Sequence, residues 1–119
     1  SRRQRQMCIR DRAASGSSAT IHRILNYFQD HYMEDISGDS ISDIFQCNFD
    51  YINRKFKQTT GKTIFYYLNE LRIMMAKQYL QSGYYTISEV ADKTGFHDVY
   101  YFSKVFKKYT GISPGKYIV

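Results

Sequence analysis

Two short stretches carry side chains spaced to contact a long ligand along one face of a helix. Asp50, Asn53, Arg54 and Lys57 stand at i, i+3, i+4 and i+7, which brings them onto one face. Fifty residues on, Val99, Tyr100, Ser103, Lys104 and Lys107 repeat the order of a short polar residue, a cation and then Lys one turn later. Those types suit base edges followed by phosphate. A guanidinium such as Arg54 reaches guanine O6 and N7 together, Asn53 matches adenine, and Val99 matches a thymine methyl. Lys57, Lys107 and Lys108 suit phosphate, which adds affinity without sequence information. Asp50 is the awkward member, since a carboxylate repels phosphate unless it accepts from cytosine N4 or lies beside Arg54. One basic stripe is ordinarily a solvated helix face, whereas two matched stripes point to duplex DNA. Catalysis has no such support, because neither a nucleophile–base constellation nor a phosphate-cradling Gly loop is present. Cys8 and Cys47 make no CxxC pair and His22, His31 and His97 are scattered, so neither a disulfide framework nor a zinc module is indicated and no cofactor is expected.

Both stripes need a helix with a buried opposite face, and an internal repeat supplies it. Residues 51–67 overlay 101–117 with Tyr51/Tyr101, Phe56/Phe106, Lys57/Lys107, Thr60/Thr110, Gly61/Gly111 and Tyr67/Tyr117 identical. Two copies are too few for a solenoid and point to a duplicated supersecondary unit. In the second copy Thr86-Ile-Ser-Glu89 reads as a capping box opening a helix over about 87–94. Gly95 then supplies a turn, and a helix over about 98–108 buries Phe102 and Phe106 before Gly111 stops it. In the first copy Ser37 is the cap, Ile36 and Ile41 are spaced as a hydrophobic staple, and the turn falls at 46–48. Its second helix, about 49–58, buries Phe49, Ile52 and Phe56. Two short helices joined by a tight turn, the second of them basic, form a helix-turn-helix.

The remaining segments read as helical too. Ile21, Ile24, Leu25, Phe28 and Tyr32 make an amphipathic helix over about 20–34. Ile64, Leu68, Leu71, Met75 and Leu80 make another, over about 63–82, with Gly83 as its stop; Met74 and Met75 read as core. At about 1.5 Å per residue this linker helix is a rod of roughly 28 Å. Ser113-Pro114 opens a last short helix. The expectation is an all-α chain of seven helices: a first helix-turn-helix unit (about 20–62), the linker (63–82) and a second unit (83–119). Most tyrosines of the pairs 66/67, 84/85 and 100/101 belong to packing, Tyr100 being the one expected to reach a ligand. His97, beside the turn, reads as a helix-start polar residue rather than a metal ligand.

Charge follows the same division. Residues 1–12 hold five Arg against Asp11 alone, residues 13–47 hold Arg23 against five acids, and residues 48–119 hold eleven Lys and Arg against five acids. The chain is net +6 over 119 residues, and a basic face attracts polyanions. The Arg-rich start, residues 1–17, lacks apolar periodicity and reads as a disordered tail or linker remnant. At 43% apolar and 17% aromatic residues, the chain is rich enough for a packed core. No run approaches the roughly 20 apolar residues of a membrane span, and no secretory h-region opens the chain. A cytoplasmic location without membrane association is the expectation.

The stretch ISEVADKTGFHDVYYFSKVFKKYTGISPGKY (87–117) resembles the signature of the AraC/XylS family of bacterial transcription regulators: Ile, Ala, Gly-Phe, Tyr-Phe, Phe-Lys-Lys, Thr-Gly and Pro-x-x-Tyr. FDYINRKFKQTTGKTIFYYLNELRIMMAKQYL (49–80) is similar to the first half of that DNA-binding domain, including Leu-Arg followed by Ala in the linker helix. The resemblance covers about residues 20–118. It implies homeodomain-like tandem helix-turn-helix units on a long linker helix, with recognition helices entering successive major-groove segments of double-stranded DNA. Carried over by position, base contacts fall on Asp50, Tyr51, Asn53 and Arg54, and on Val99, Tyr100, Ser103 and Lys104. The resemblance also implies activation of transcription, RNA polymerase as a further partner, and a sensory or dimerisation domain that this chain lacks. Two departures touch the first unit: Ser42 stands where Ala is usual and Gln46 where a turn Gly is usual. The competing readings are a helical protein-interaction adaptor using the acidic 30–43 segment without DNA binding, and a single-strand or RNA binder, which lacks the expected aromatic-bearing sheet.

Overall fold

The computed structural model describes residues 16–118, and among them it shows seven helices and no strand. They are α1 (Gly16–His31), α2 (Gly38–Phe45), α3 (Phe49–Thr60), α4 (Ile64–Ser82), α5 (Ile87–Lys93), α6 (Val99–Thr110) and α7 (Pro114–Ile118). The basic segment over 1–15, with Cys8, lies outside the described residues. No described helix is long and apolar enough to cross a membrane.

The chain forms two compact units. The first holds the residues up to Asp30 and Ile36–Tyr67, and the second holds His31–Asp35 and Leu68–Val119. In the first unit Ile21, Ile24, Phe28, Ile41, Phe45, Ile52, Phe56 and Ile64 are buried. Tyr67 meets Phe56 edge-on with ring centroids 5.7 Å apart. In the second unit Ile73, Ala76, Leu80, Val90, Ala91, Phe96, Phe102, Val105 and Phe106 form one apolar core. There Tyr117 meets Phe106 edge-on at 5.4 Å. The repeat is thus a repeat of packing, with the same aromatic pair closing both cores. Truncating either buried Phe to Ala costs about 3–5 kcal/mol.

Two elements differ from the sequence reading. Helix α1 runs over Gly16–His31 instead of about 20–34, so Tyr32 falls outside it. The Arg72 side chain explains its end, because Nε donates to the Tyr32 carbonyl (2.7 Å) and Nη2 to the Glu34 carbonyl (2.9 Å). These are acceptors a continuing helix would use, and residues 32–35, past the end of α1, belong to the second unit. Helix α4 also departs from a single apolar stripe. Ile64, Leu68 and Leu71 are buried at i, i+4 and i+7, then Ile73, Ala76 and Leu80 are buried on another face. Met74 lies on neither stripe and is 53% exposed, so the reading of both methionines as core fails for Met74.

Candidate nucleic-acid interface

Each basic helix is fixed by matched caps and a matched turn. The Asn48 Oδ1 accepts from the Tyr51 N–H at the start of α3 (2.9 Å). The Asp98 Oδ1 accepts from the Tyr100 N–H at the start of α6 (2.9 Å). Both satisfy donors that a helix start leaves open, and such a cap contributes about 1 kcal/mol. At the far ends Gly61 and Gly111 adopt φ of 86° and 87°. The hydroxyls of Thr60 and Thr110 each lie 2.8 Å from the carbonyl one turn back, of Phe56 and Phe106. Thr60 also accepts from the Lys62 N–H, and Thr110 from the Ile112 N–H. The repeated Thr-Gly pair is therefore the stop signal of both helices.

The turns before these helices solve one backbone problem with different residues. Gly95 has φ 91°, and Gln46 takes the corresponding left-handed place at φ 56°. Gln46 is held by its own side chain, whose Nε2 donates to the Asp43 carbonyl (2.7 Å). Gly95 has no such latitude. A Cβ there would stand 2.8 Å from the Tyr32 carbonyl oxygen and 3.1 Å from Arg72 Nε. Beyond it, His97 is also left-handed (φ 63°), and its ring lies 3.4 Å from Asp35. The second turn is thus built against residues 31–35. Burial lowers the pKa of the Arg72 guanidinium, opposed by the nearby Tyr101 and Asp35, and the guanidinium lies 5.8 Å over the Phe96 ring. Burial pushes the Tyr32 phenol up to about 12, helped by its hydrogen bond with Tyr79.

Ile52 and Phe56 of α3 are buried, leaving Asp50, Arg54 and Lys57 exposed on the opposite side. Phe102, Val105 and Phe106 of α6 are buried, leaving Tyr100, Lys104, Lys107 and Lys108 exposed. At the repeat offset, Asp50 answers Tyr100, Arg54 answers Lys104 and Lys57 answers Lys107. The outward faces are therefore in register. Val99 and Ser103 are half-buried at the flank of this face. Tyr51 is half-buried as well, with the Lys55 ammonium 5.8 Å over its ring.

Asn53 differs from its sequence reading as a partner for adenine. Its Oδ1 accepts from the Ile64 N–H at the start of α4 (2.8 Å), so the acceptor half of a bidentate adenine contact is already engaged. The second copy shows why the duty falls here. Ser103 answers Asn53 and Pro114 answers Ile64, and proline has no N–H to satisfy. Sequence spacing within α3 cannot reveal a partner eleven residues away on another helix, although the Asn–Ile against Ser–Pro covariation across the repeat is a signal for it. Also unforeseen is a shallow cavity of about 360 Å³ beside the α3 end, lined by Lys57, Gly61, Lys62, Thr63 and Tyr66. Among the described residues no group of three or more His, Cys, Asp and Glu comes together to hold a metal.

Comparison with known proteins agrees with this architecture. A family model described as a helix-turn-helix domain matches residues 41–118. The chain is 32% identical over 101 residues to the HTH-type transcriptional activator RhaS of Citrobacter koseri, matching 85% of this chain and 36% of that protein. It therefore spans about a third of the length of such curated relatives. The C-terminal domain of AraT, a response regulator from Geobacillus stearothermophilus, superposes with a TM-score of 0.80 at 30% identity, covering 83% of each chain. The C-terminal domain of the two-component response regulator YesN from Fusobacterium nucleatum gives 0.79 at 29% identity, covering 82% of this chain and 96% of that one. With its two capped helix-turn-helix units and the matched family model, the chain belongs to the AraC/XylS family of helix-turn-helix domains.

Proposed function

We propose that this chain is the sequence-specific, double-stranded DNA-binding part of a cytoplasmic transcription regulator, acting as an activator. Helices α3 and α6 are the recognition helices, each reading one of two successive major-groove segments about 34 Å apart. Arg54 and Asp50 read bases in the first unit, with Tyr51 at the edge of the contact; Val99, Tyr100, Ser103 and Lys104 read them in the second. Lys57, Lys107 and Lys108 hold phosphates. One observation carries this reading: two separately capped helices expose side chains in the same register, with a cation at each of the last two outward positions. A sensory or dimerisation domain elsewhere in the full protein belongs to the same proposal, supported by relatives roughly three times as long. Contact with RNA polymerase belongs to it through the activator role such relatives are named for.

Affinity for duplex DNA against salt tests it. Three phosphate-binding lysines require log K to fall with log salt at a slope of about −2.7 or steeper, since each phosphate contact contributes about −0.9. Duplexes selected from a random pool should bind at least about a thousandfold more tightly than unselected ones. A protein-interaction adaptor would show neither the slope nor the selection, and a single-strand binder would prefer unpaired DNA.

A further inference from the structure

The outward faces of α3 and α6 match in register and differ in chemical class at one place. Arg54 against Lys104 and Lys57 against Lys107 are cation for cation, but Asp50 is answered by Tyr100. Tyr100 is 84% exposed, so the core makes almost no use of its apolar area. Its backbone is fixed, because Asp98 holds its N–H at the first turn of α6. Half-buried Val99 stands beside it in the chain, so the leading edge of α6 is apolar on a face that is otherwise cationic. At the leading edge of α3, Phe49 answers Val99 but packs against the Phe65 ring at 5.6 Å, which leaves an acceptor, Asp50, as the outward group, and the neighbouring Asn53 oxygen is engaged by the Ile64 N–H. The major groove displays one apolar group among its hydrogen-bonding edges, the 5-methyl of thymine.

We infer that the two units read different base chemistry: Tyr100 and Val99 in the second unit read the 5-methyl group of thymine, while Asp50 and Arg54 in the first read hydrogen-bonding edges. This rests on the DNA-binding reading above. The ring, rather than the phenol hydroxyl, is the reading group at position 100. The second half-site therefore carries thymines whose methyl groups are needed, and the first carries a base pair with an exocyclic amino donor for Asp50.

The test replaces each thymine of a selected duplex singly with uracil, which removes the methyl and leaves every hydrogen-bonding group in place. At one or two positions affinity should fall about fourfold, the factor for burying one methylene-sized apolar group. Tyr100→Phe should keep this loss at the same positions. Tyr100→Ala or Val99→Ala should abolish it, so that thymine and uracil duplexes bind alike. Equal binding of every uracil duplex by the unaltered protein would overturn the inference while leaving the DNA-binding reading intact. A uracil loss that survives either alanine variant, or that disappears in Tyr100→Phe, would also overturn it. Failure to bind duplex DNA in a salt-dependent way would overturn both.

Discussion

Gly95→Ala isolates the close approach on which the second helix-turn-helix turn depends. Gly61 and Gly111 share its left-handed backbone, at φ 86° and 87° against 91°, but a Cβ at either meets nothing within 4 Å. At those open sites alanine costs about 1–2 kcal/mol for the left-handed conformation, less about 0.4–1 kcal/mol regained because the unfolded chain is stiffer. The net is about 1 kcal/mol. At Gly95 the new methyl would stand 2.8 Å from the Tyr32 oxygen and 3.1 Å from both Arg72 Nε and the Met33 carbonyl carbon. Two of those neighbours are backbone, and the third already bonds the first at 2.7 Å. Relief means either an overpacked site, at about 1–3 kcal/mol, or loss of a charge-assisted hydrogen bond of similar size. Gly95→Ala should therefore cost about 3 kcal/mol in total, roughly three times the effect of Gly111→Ala. Since the chain has no Trp, helix circular dichroism in urea is the assay, read as a change in midpoint at constant slope. Equal destabilisation by the two alanines would refute the proposition that residues 31–35 are built against this turn.

The other stability expectations share that assay, and base preference is read by selection from random duplexes. Gln46→Gly should stabilise the first unit by about 0.5–1 kcal/mol, because glycine takes φ 56° without the left-handed penalty; a loss of stability would show that the Gln46 contact with Asp43 dominates. Asn53→Ala should cost about 1–3 kcal/mol by stranding the Ile64 N–H, whereas Asn53→Asp keeps the acceptor and should retain most stability and the same base preference. A changed preference with Asp would restore Asn53 to base reading. The Tyr32 phenol titrates near 12 when folded, against an ordinary 10.0, so folding favours its protonated form. Its contribution is complete below pH 10 and is lost as pH rises toward 12, by at most about 2–3 kcal/mol. Tyr32→Phe should lose that much less stability over the same interval, and parallel pH profiles would contradict it.

Much of this fold was legible because its signals are local. Ser37, Thr86 and the two Thr-Gly pairs mark helix ends through contacts within four residues, and the repeat shows that one reading serves both units. The outward faces were legible for the same reason, since Asp50, Arg54 and Lys57 need only the helical period to be placed together. What escaped depends on partners far apart in the chain. Arg72 ends α1 by taking the carbonyl of Tyr32, forty residues earlier. Asn53 is claimed by Ile64, and Met74 is exposed because α4 changes its buried face along its length. A single-period apolar count cannot register such a change, and a surface stripe cannot show which of its polar atoms is already engaged.

The most direct test of the whole account is a base-preference map of the bound site, obtained by selection from random duplexes with the unaltered chain, Arg54→Ala and Tyr100→Ala. Two recognition helices on one chain predict two separate blocks of preferred positions. Arg54→Ala should flatten positions only in one block, at about 1–3 kcal/mol for the contacted base, and Tyr100→Ala should flatten positions only in the other. Both variants erasing the same positions, or neither altering any, would contradict it.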